Sequence, residues 1–319
     1  PQLAGWVTTV WRGRSRSRLL RLARLKDAGQ LLADLGGTRA TASEGLAMMA
    51  GHAVSRPIVV DVTSEETGDM LLAATQAGFD LVLANKKPLA VPWEGYARLM
   101  TAAASGGRQI RYEATVGAGL PIIDTFNKLD ETGDRVLRID GCVSGTLMFV
   151  LSEVSAGRPF SGAVVEAVAR GYAEPDPRED LSGQDAARKG LILARMLGYR
   201  GPAAAADNLV PEPMRGLSLA AFMEQLSSLD ASWRERVEAE RTKGRVLRYV
   251  VSATSRGATA KLVAVPASSP MGAASGTRNI ITFVSRRYRD EPIVISGPGA
   301  GAAVTAAGIL NDICALSLK

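Results

Sequence analysis

Two short apolar runs, "IVVDVTS" after Pro57 and "DLVLAN" from Asp80, flank the helical stretch "EETGDMLLAATQAG". Both runs are apolar at consecutive positions, so neither offers a polar face to water. That pattern suits strands covered on both sides, as in a parallel sheet. Parallel strands need a crossover, and the intervening helix supplies it. "KKPLAVP" then reads as a loop, residues 93–104 as a helix and "QIRYEAT" as a third strand. The rhythm predicts an open α/β sheet. Upstream, "GWVTTVW" reads as a strand, followed by an Arg-rich turn, a helix broken at Gly36 and Gly37, and a short helix over "ASEGLAMMAG".

From Gly117 the rhythm changes. "GLPIIDTFNKL" reads as a helix and "RVLRIDGCVSG" as a strand. "SGTLMFVLSEVSAG" and "FSGAVVEAVARG" are helical, "YAEPDPREDLSG" is a loop, and helices follow over 184–197 and 219–239. "RVLRYVVSATS", "KLVAVPAS" and "NIITFVSRRY" are strands parted by turn residues, expected to run antiparallel. "EPIVISGPGAG" closes a further strand on a glycine turn before a last helix. The expected division is a nucleotide-binding α/β domain over 1–118, a mixed α+β domain over 119–290, and a strand and helix over 291–319 that return to the first domain.

Composition narrows the chemistry. The only histidine is His52, in a setting that reads as a helix end. His-based triads and two-His metal sites are therefore excluded, and acid–base work falls to Lys, Asp, Glu or Tyr. Cys142 and Cys314 form neither a disulfide framework nor a zinc spacing, which fits a reducing, cytoplasmic setting. Neither a membrane-length apolar run nor a secretory signal is found. Arg12, Arg14, Arg16, Arg18, Arg21 and Arg24 form a basic run with no acid before Asp27. Such a run can bind phosphate or nucleic acid. Interleaved aromatics and a recognised motif are lacking, so nucleic acid is not the expected partner.

Four segments can carry chemistry. In "GYAEPDPREDLSGQDAARKGLILARML", four carboxylates (Glu174, Asp176, Glu179, Asp180) share a loop stiffened by Pro175 and Pro177. Asp185 and Lys189 follow at i and i+4, on a stripe continued by Ile192, Leu193 and Met196. A lysine on such a stripe needs a charge partner or a lowered pKa. Read alone, the pair is either that or a surface ion pair of about 0.3–0.5 kcal/mol. Asn85, Lys86 and Lys87 lie past the carboxyl end of one strand, and Thr63 and Ser64 past another; open α/β sheets bind ligands on that rim. The alternative is lysines that merely face water. "GPGAG" is either an anion-binding turn at a helix start or a plain strand-to-helix turn. It is not the G-x-G-x-x-G fingerprint. "EATVGAGLP" can turn carbonyl oxygens inward onto a cation.

Together, "VDVTS", "ANKKPL", "YEATVGAGLPII", "GCVSGTLMF", "GYAEPDPREDLSGQDAARK" and "GPGAGAAVTAAG" resemble homoserine dehydrogenase in order and spacing, from Pro57 to the C-terminus. The likeness is greatest to the dehydrogenase halves of bifunctional aspartokinase–homoserine dehydrogenases, with no kinase half in this sequence. The resemblance implies a Rossmann-like NAD(P)-binding domain, here missing its first strand and glycine turn, plus a mixed α+β catalytic and dimerisation domain. It implies interconversion of L-homoserine and L-aspartate 4-semialdehyde, in threonine, methionine and isoleucine biosynthesis, by a cytoplasmic homodimer. By position, Lys189 and Lys86 match the family's lysines of catalysis. Glu174 and Asp185 match the carboxylates that hold the substrate amino group, with Asp180, Gly171 and Tyr172 beside them. Thr63, Ser64, Lys86 and Gly301 match cofactor contacts. Glu113, Val116, Ala118 and Leu120 match a sodium site built largely of backbone oxygens. Arg12 and Arg14 could accept a 2′-phosphate at the end of a second strand, which would favour NADP over NAD. "GWVTTVW" best matches the family's second strand. An active dehydrogenase and a folded remnant with an impaired cofactor site both remain open.

Overall fold

The computed structural model describes residues 41–51, 56–203 and 205–317, together with 21, 24, 25 and 28–30. The expected strand over 6–11, Arg12 and His52 lie outside the described residues.

Helix α1 (Ala42–Ala50) opens on a capping box, in which the Thr41 hydroxyl accepts from Glu44 N and Glu44 accepts from Thr41 N. Then come β1 (Ile58–Asp61), α2 (Gly68–Gln76), β2 (Asp80–Leu83), α3 (Lys87–Ala90), α4 (Trp93–Ser105) and β3 (Ile110–Arg111). The strands form a parallel sheet in the order β1-β2-β3. Every residue of β2 is buried, as its unbroken apolar run requires. β1 meets that expectation only at alternate residues.

Two expectations change in this region. The supposed loop "KKPLAVP" holds the short helix α3, with Pro88 in its first turn, where a missing N–H costs nothing. The supposed strand "QIRYEAT" leaves the sheet after Arg111 and coils into a 3₁₀ turn at Glu113–Thr115. The cause is Glu113. Its carboxylate turns away from the sheet and accepts from the N–H groups of Ile122, Ile123 and Asp124 at 2.6, 2.7 and 2.8 Å. These are the orphan donors at the start of α5 (Ile122–Glu131).

Next come β4 (Val136–Cys142), α6 (Gly145–Ser155), α7 (Phe160–Ala169), α8 (Arg178–Leu181), α9 (Gln184–Met196) and β5 (Ala205–Ala206). The loop "YAEPDPREDLSG" thus contains the turn of helix α8. The helix expected over 219–239 is broken into Leu219–Gln225, a 3₁₀ turn at Leu226–Leu229, and α10 (Asp230–Arg241). At that break Asp230 reaches the start of α7, accepting from the N–H and hydroxyl of Ser161, both at 2.7 Å.

The second sheet adds β6 (Arg245–Thr254), β7 (Gly257–Pro266), β8 (Arg278–Ser285) and β9 (Ile293–Pro298), in the order β5-β7-β6-β4-β8-β9. All its pairs are antiparallel except β5 with β7. Helix α9 lies on β6 and β7 so closely that a Cβ at Gly190 would stand 2.9 Å from Val251. One hydrophobic core runs from Val59 and Leu81 under the first sheet to Val251 and Phe283 under the second.

The last strand does not return to the first sheet. β9 pairs with β8 from Phe283↔Ile293 to Arg278↔Pro298, an unbroken antiparallel ladder that satisfies the β8 edge. The helix after it, α11 (Ala302–Ser317), does cross over, and its Asp312 accepts from Glu113 N at 2.8 Å. Backbone meets backbone there: a Cβ on Gly119 would sit 2.3 Å from Val304 O, and one on Gly308 2.8 Å from Ala118 O.

Candidate active site

At the carboxyl end of β1, Asp61 breaks an apolar strand and is itself buried. It accepts from Thr63 N and Oγ1 at 3.0 and 2.8 Å, from Thr67 Oγ1 at 2.6 Å and from Asn85 Nδ2 at 3.1 Å. Asn85 in turn donates to Glu65 O and accepts from Lys87 N. This network fixes the two strand ends against each other. Lys86, the residue before α3, is thereby aimed across the seam toward α9.

The opposite wall is the start of α9 and the carboxylate loop before it. Asp185 takes Lys189 Nζ at 2.7 Å and Lys86 Nζ at 3.5 Å. Lys189 is 12% exposed, and its second partner is Val143 O at 2.8 Å, just past β4. The charge partner required by its apolar stripe is therefore present. Burial raises the Asp185 carboxyl, but Lys189 and then Lys86 outweigh it and hold the group down at about 2. Half of the Asp185 side chain still meets the open cleft. It is a fixed negative charge, braced by two ammonium groups, that remains within reach of a ligand.

Between these walls lies a cleft of about 710 Å³, lined by Thr63, Ser64 and Lys86 on one side and Glu174, Asp180 and Asp185 on the other. Lys189 stands behind Asp185. Asp180 shapes the loop: its Oδ2 accepts from Glu174 N at 2.9 Å and its Oδ1 from Thr146 Oγ1 at 2.9 Å. Gly171, Tyr172 and Gly301 do not line the cleft. Gly171 ends α7 with φ 67°, Tyr172 packs edge-on against Phe149 and accepts through its carbonyl from Thr146, and Gly301 precedes α11 with φ 117°.

The Glu113–Leu120 turn lies apart from the cleft lining. Glu113 is 2% exposed, and burial raises its carboxyl to about 7, against the N–H groups of Ile123 and Asp124. Burial likewise raises Asp312 to about 6, and its Oδ1 has no hydrogen-bond partner. Ala118, with φ 57°, is the only non-glycine residue of positive φ among the described residues. Among those residues no group of three metal-ligating side chains occurs, so any cation at this turn would rest on carbonyls.

Several residues were not singled out in the sequence. Asp61 did signal itself, as the acid that interrupts the apolar run "IVVDVTS". Thr146 gave no local sign, because its partners are 26 and 34 residues away. Asn279 is fully buried on β8 with both amide atoms unpartnered, close under Gly299, where a Cβ would stand 1.9 Å from its side chain.

The residues present fit a nicotinamide dinucleotide. The cleft stands at the carboxyl ends of parallel strands, where such sheets take ligands, and its volume suits a small substrate beside a cofactor ring. Thr63, Ser64 and Lys86 would hold the cofactor there.

The chain is similar to known proteins over most of its length. The homoserine dehydrogenase family matches residues 121–314, and the homoserine dehydrogenase NAD-binding domain matches residues 9–113. The chain is 42% identical over 273 residues to a chloroplastic bifunctional aspartokinase/homoserine dehydrogenase of Zea mays, covering 83% of this chain but 30% of that protein. It thus spans less than a third of that bifunctional relative. It is 35% identical to the homoserine dehydrogenase of Paracoccidioides brasiliensis, covering 84% of this chain and 76% of that one. Among solved structures, a hyperthermophilic archaeal homoserine dehydrogenase in complex with NADPH superposes with TM-score 0.73 at 27% identity, over 94% of this chain and 83% of that one. With family matches over both sheets and relatives that cover most of its length, the chain belongs to the homoserine dehydrogenase family.

Proposed function

We propose that the chain interconverts L-homoserine and L-aspartate 4-semialdehyde with NADP or NAD. The observation that carries this reading is the Lys86–Asp185–Lys189 constellation, which spans the seam between a parallel sheet and helix α9. Glu174 and Asp185 would bind the substrate ammonium at the cleft wall, which orients the hydroxyl carbon toward the nicotinamide side. In oxidation the hydroxyl proton must leave, and with no histidine among the described residues that line the cleft a lysine amine takes it; in reduction the ammonium returns it to the carbonyl oxygen. Lys189 and Lys86 are the two candidates for that transfer. The bound NAD(P) would supply the two-electron acceptor. Asp180, Gly171 and Tyr172 would shape the substrate loop, and Gly301 would meet the cofactor at the start of α11.

A sodium ion at the turn that holds Glu113, Val116, Ala118 and Leu120 belongs to the same reading. The Glu113 carboxylate is spent on the start of α5, which leaves backbone oxygens as donors. A homodimer also belongs to it. The sheet face opposite Val251, Ala253, Ile281 and Phe283 carries Val246, Val250, Val263 and Val284 partly exposed, and Val294 is 42% exposed. A second copy would cover those residues. Both cysteines are free, which suits a reducing compartment such as the cytoplasm.

The test is homoserine-dependent reduction of NADP and NAD by the purified chain. Turnover with homoserine, and none with serine, supports the reading. Folded protein that binds NADPH without turnover would favour an impaired remnant of the family. Folded protein that binds neither ligand would refute the proposed site.

A further inference from the structure

Helix α9 grips the lysine-bearing segment 85–91 at two separate points. The first is Asp185 on Lys86. The second is Arg195, ten residues further along the same helix, or about 15 Å at the usual rise. Arg195 is 5% exposed. Its Nη1 donates to Leu89 O and its Nη2 to Val91 O at 2.5 Å, while its guanidinium lies 4.5 Å from the centre of the Tyr96 ring on α4. No acidic side chain pairs with it among the described residues, and its Nε has no partner. A charge buried without a counter-ion is costly, and burial works against its protonated form. A leucine or methionine would fill the same space more cheaply, so packing alone does not explain an arginine here.

The geometry explains it. The carbonyls of Leu89 and Val91 stand at the carboxyl end of α3, where helix oxygens lack intrahelical partners. A planar fork can take two such carbonyls at once, and a point-charge ammonium cannot do so in the same way. Lys86 is the residue at the other end of α3. The short helix is therefore fixed at its far end by Arg195 and at its near end by Asp185, and both grips belong to one rigid rod that also carries Lys189.

We propose that Arg195 is a positioning residue for the dehydrogenase reaction: it clamps α3 to α9, so that Lys86 stays in register with Asp185 and Lys189 across the seam. This rests on the function proposed above. Arg195 does not line the cleft, and it acts through Lys86.

The test compares wild type with Arg195→Met, Arg195→Lys, Lys86→Ala and the double variant Lys86→Ala/Arg195→Met. Three readouts are taken: homoserine turnover, thermal midpoint, and amide hydrogen exchange across residues 86–91. Misplacement by about 1 Å can cost on the order of a hundredfold in rate, so Arg195→Met should lower kcat about ten- to a hundredfold, with a smaller change in KM. Arg195→Lys should recover part of the loss. Exchange across 86–91 should quicken in Arg195→Met. In the Lys86→Ala background the same change should alter turnover by less than about threefold, because the lysine being positioned is gone.

An equal fold-loss in both backgrounds would overturn the proposal, as would a fall in thermal midpoint with unchanged kcat of the folded protein. If Arg195→Met does not fold, the Arg195→Lys pair, with and without Lys86→Ala, decides in the same way. If wild type itself fails to turn over homoserine, the functional reading fails separately. The clamp is then judged on exchange alone: faster exchange across 86–91 in the Arg195 variants supports it, and unchanged exchange overturns it.

Discussion

Two carboxylate clusters join the halves of this molecule, and they are built in opposite ways. At the cleft, Asp185 sits between two ammonium groups, and its carboxyl is held at about 2. At the far junction, Glu113 and Asp312 meet where α11 crosses onto the first sheet. Burial raises them to about 7 and about 6, and Arg111 is the one cation that lowers Asp312. The first cluster keeps a charge fixed and open to a ligand. The second uses carboxyl oxygens as acceptors for backbone N–H groups, and burial there opposes their ionisation. A carboxylate meant to bind an ammonium must be ionised at every working pH, whereas one that caps a helix inside a junction gains nothing from exposure.

This contrast can be broken by mutation. Among changes to the two carboxylate clusters Asp185→Asn should have the largest effect, because it removes the partner of both lysines and one proposed ligand of the substrate ammonium. A hydrogen bond to a charged group is worth about 1.5–3 kcal/mol, so kcat/KM for homoserine should fall about ten- to a hundredfold, with NADPH affinity little changed in a fluorescence titration. A loss confined to NADPH affinity would place Asp185 on the wrong ligand. Glu113→Gln should cost less, about 1–2 kcal/mol in denaturant unfolding at pH 8, since the amide nitrogen that replaces one carboxyl oxygen cannot accept an N–H of α5. It should leave KM for homoserine near wild type. A large KM change would tie the junction to the cleft directly.

The pH dependences should run in opposite directions. The folded value of Asp185 lies below its unfolded value of about 3.9. Its contribution to stability is therefore present above about pH 4 and is lost as pH falls toward about 2. Asp312 lies above its unfolded value, so the folded state binds more protons between about pH 4 and 6, and stability from this group declines as pH rises through that window. Asp312→Asn should remove that decline and be the smallest change, leaving the variant no less stable than wild type at pH 8. A variant less stable than wild type at pH 8 would show that the ionised carboxylate is an asset at the junction.

What the sequence revealed depended on how local the cause was. The unbroken run of β2 and the i,i+4 pairing of Asp185 with Lys189 both lie within one element, and both could be read directly. The strand after Ile110 ends early because Glu113 caps a helix nine to eleven residues later, a cause no local pattern carries. The helical pattern over 219–239 breaks before Asp230, whose partner Ser161 is 69 residues away. The partner of β9 was hidden for a similar reason, since alternation within a strand does not say which edge it joins. Lys86 reached its place at Asp185 through a contact 99 positions away in sequence, which only the family likeness foreshadowed. Arg195 looks in sequence like any last-turn arginine, a favourable cation at a helix end. Only the fold shows that its fork closes on α3.

The most direct measurement is homoserine oxidation by Lys189→Ala beside wild type, with NADPH binding and thermal midpoint measured on both. Loss of a positioned proton-transfer group costs about 10²–10⁴-fold. The variant should therefore lose turnover by about that factor while it keeps its fold and its affinity for NADPH. Near-normal turnover in Lys189→Ala would contradict the placing of the chemistry at the Lys86–Asp185–Lys189 seam.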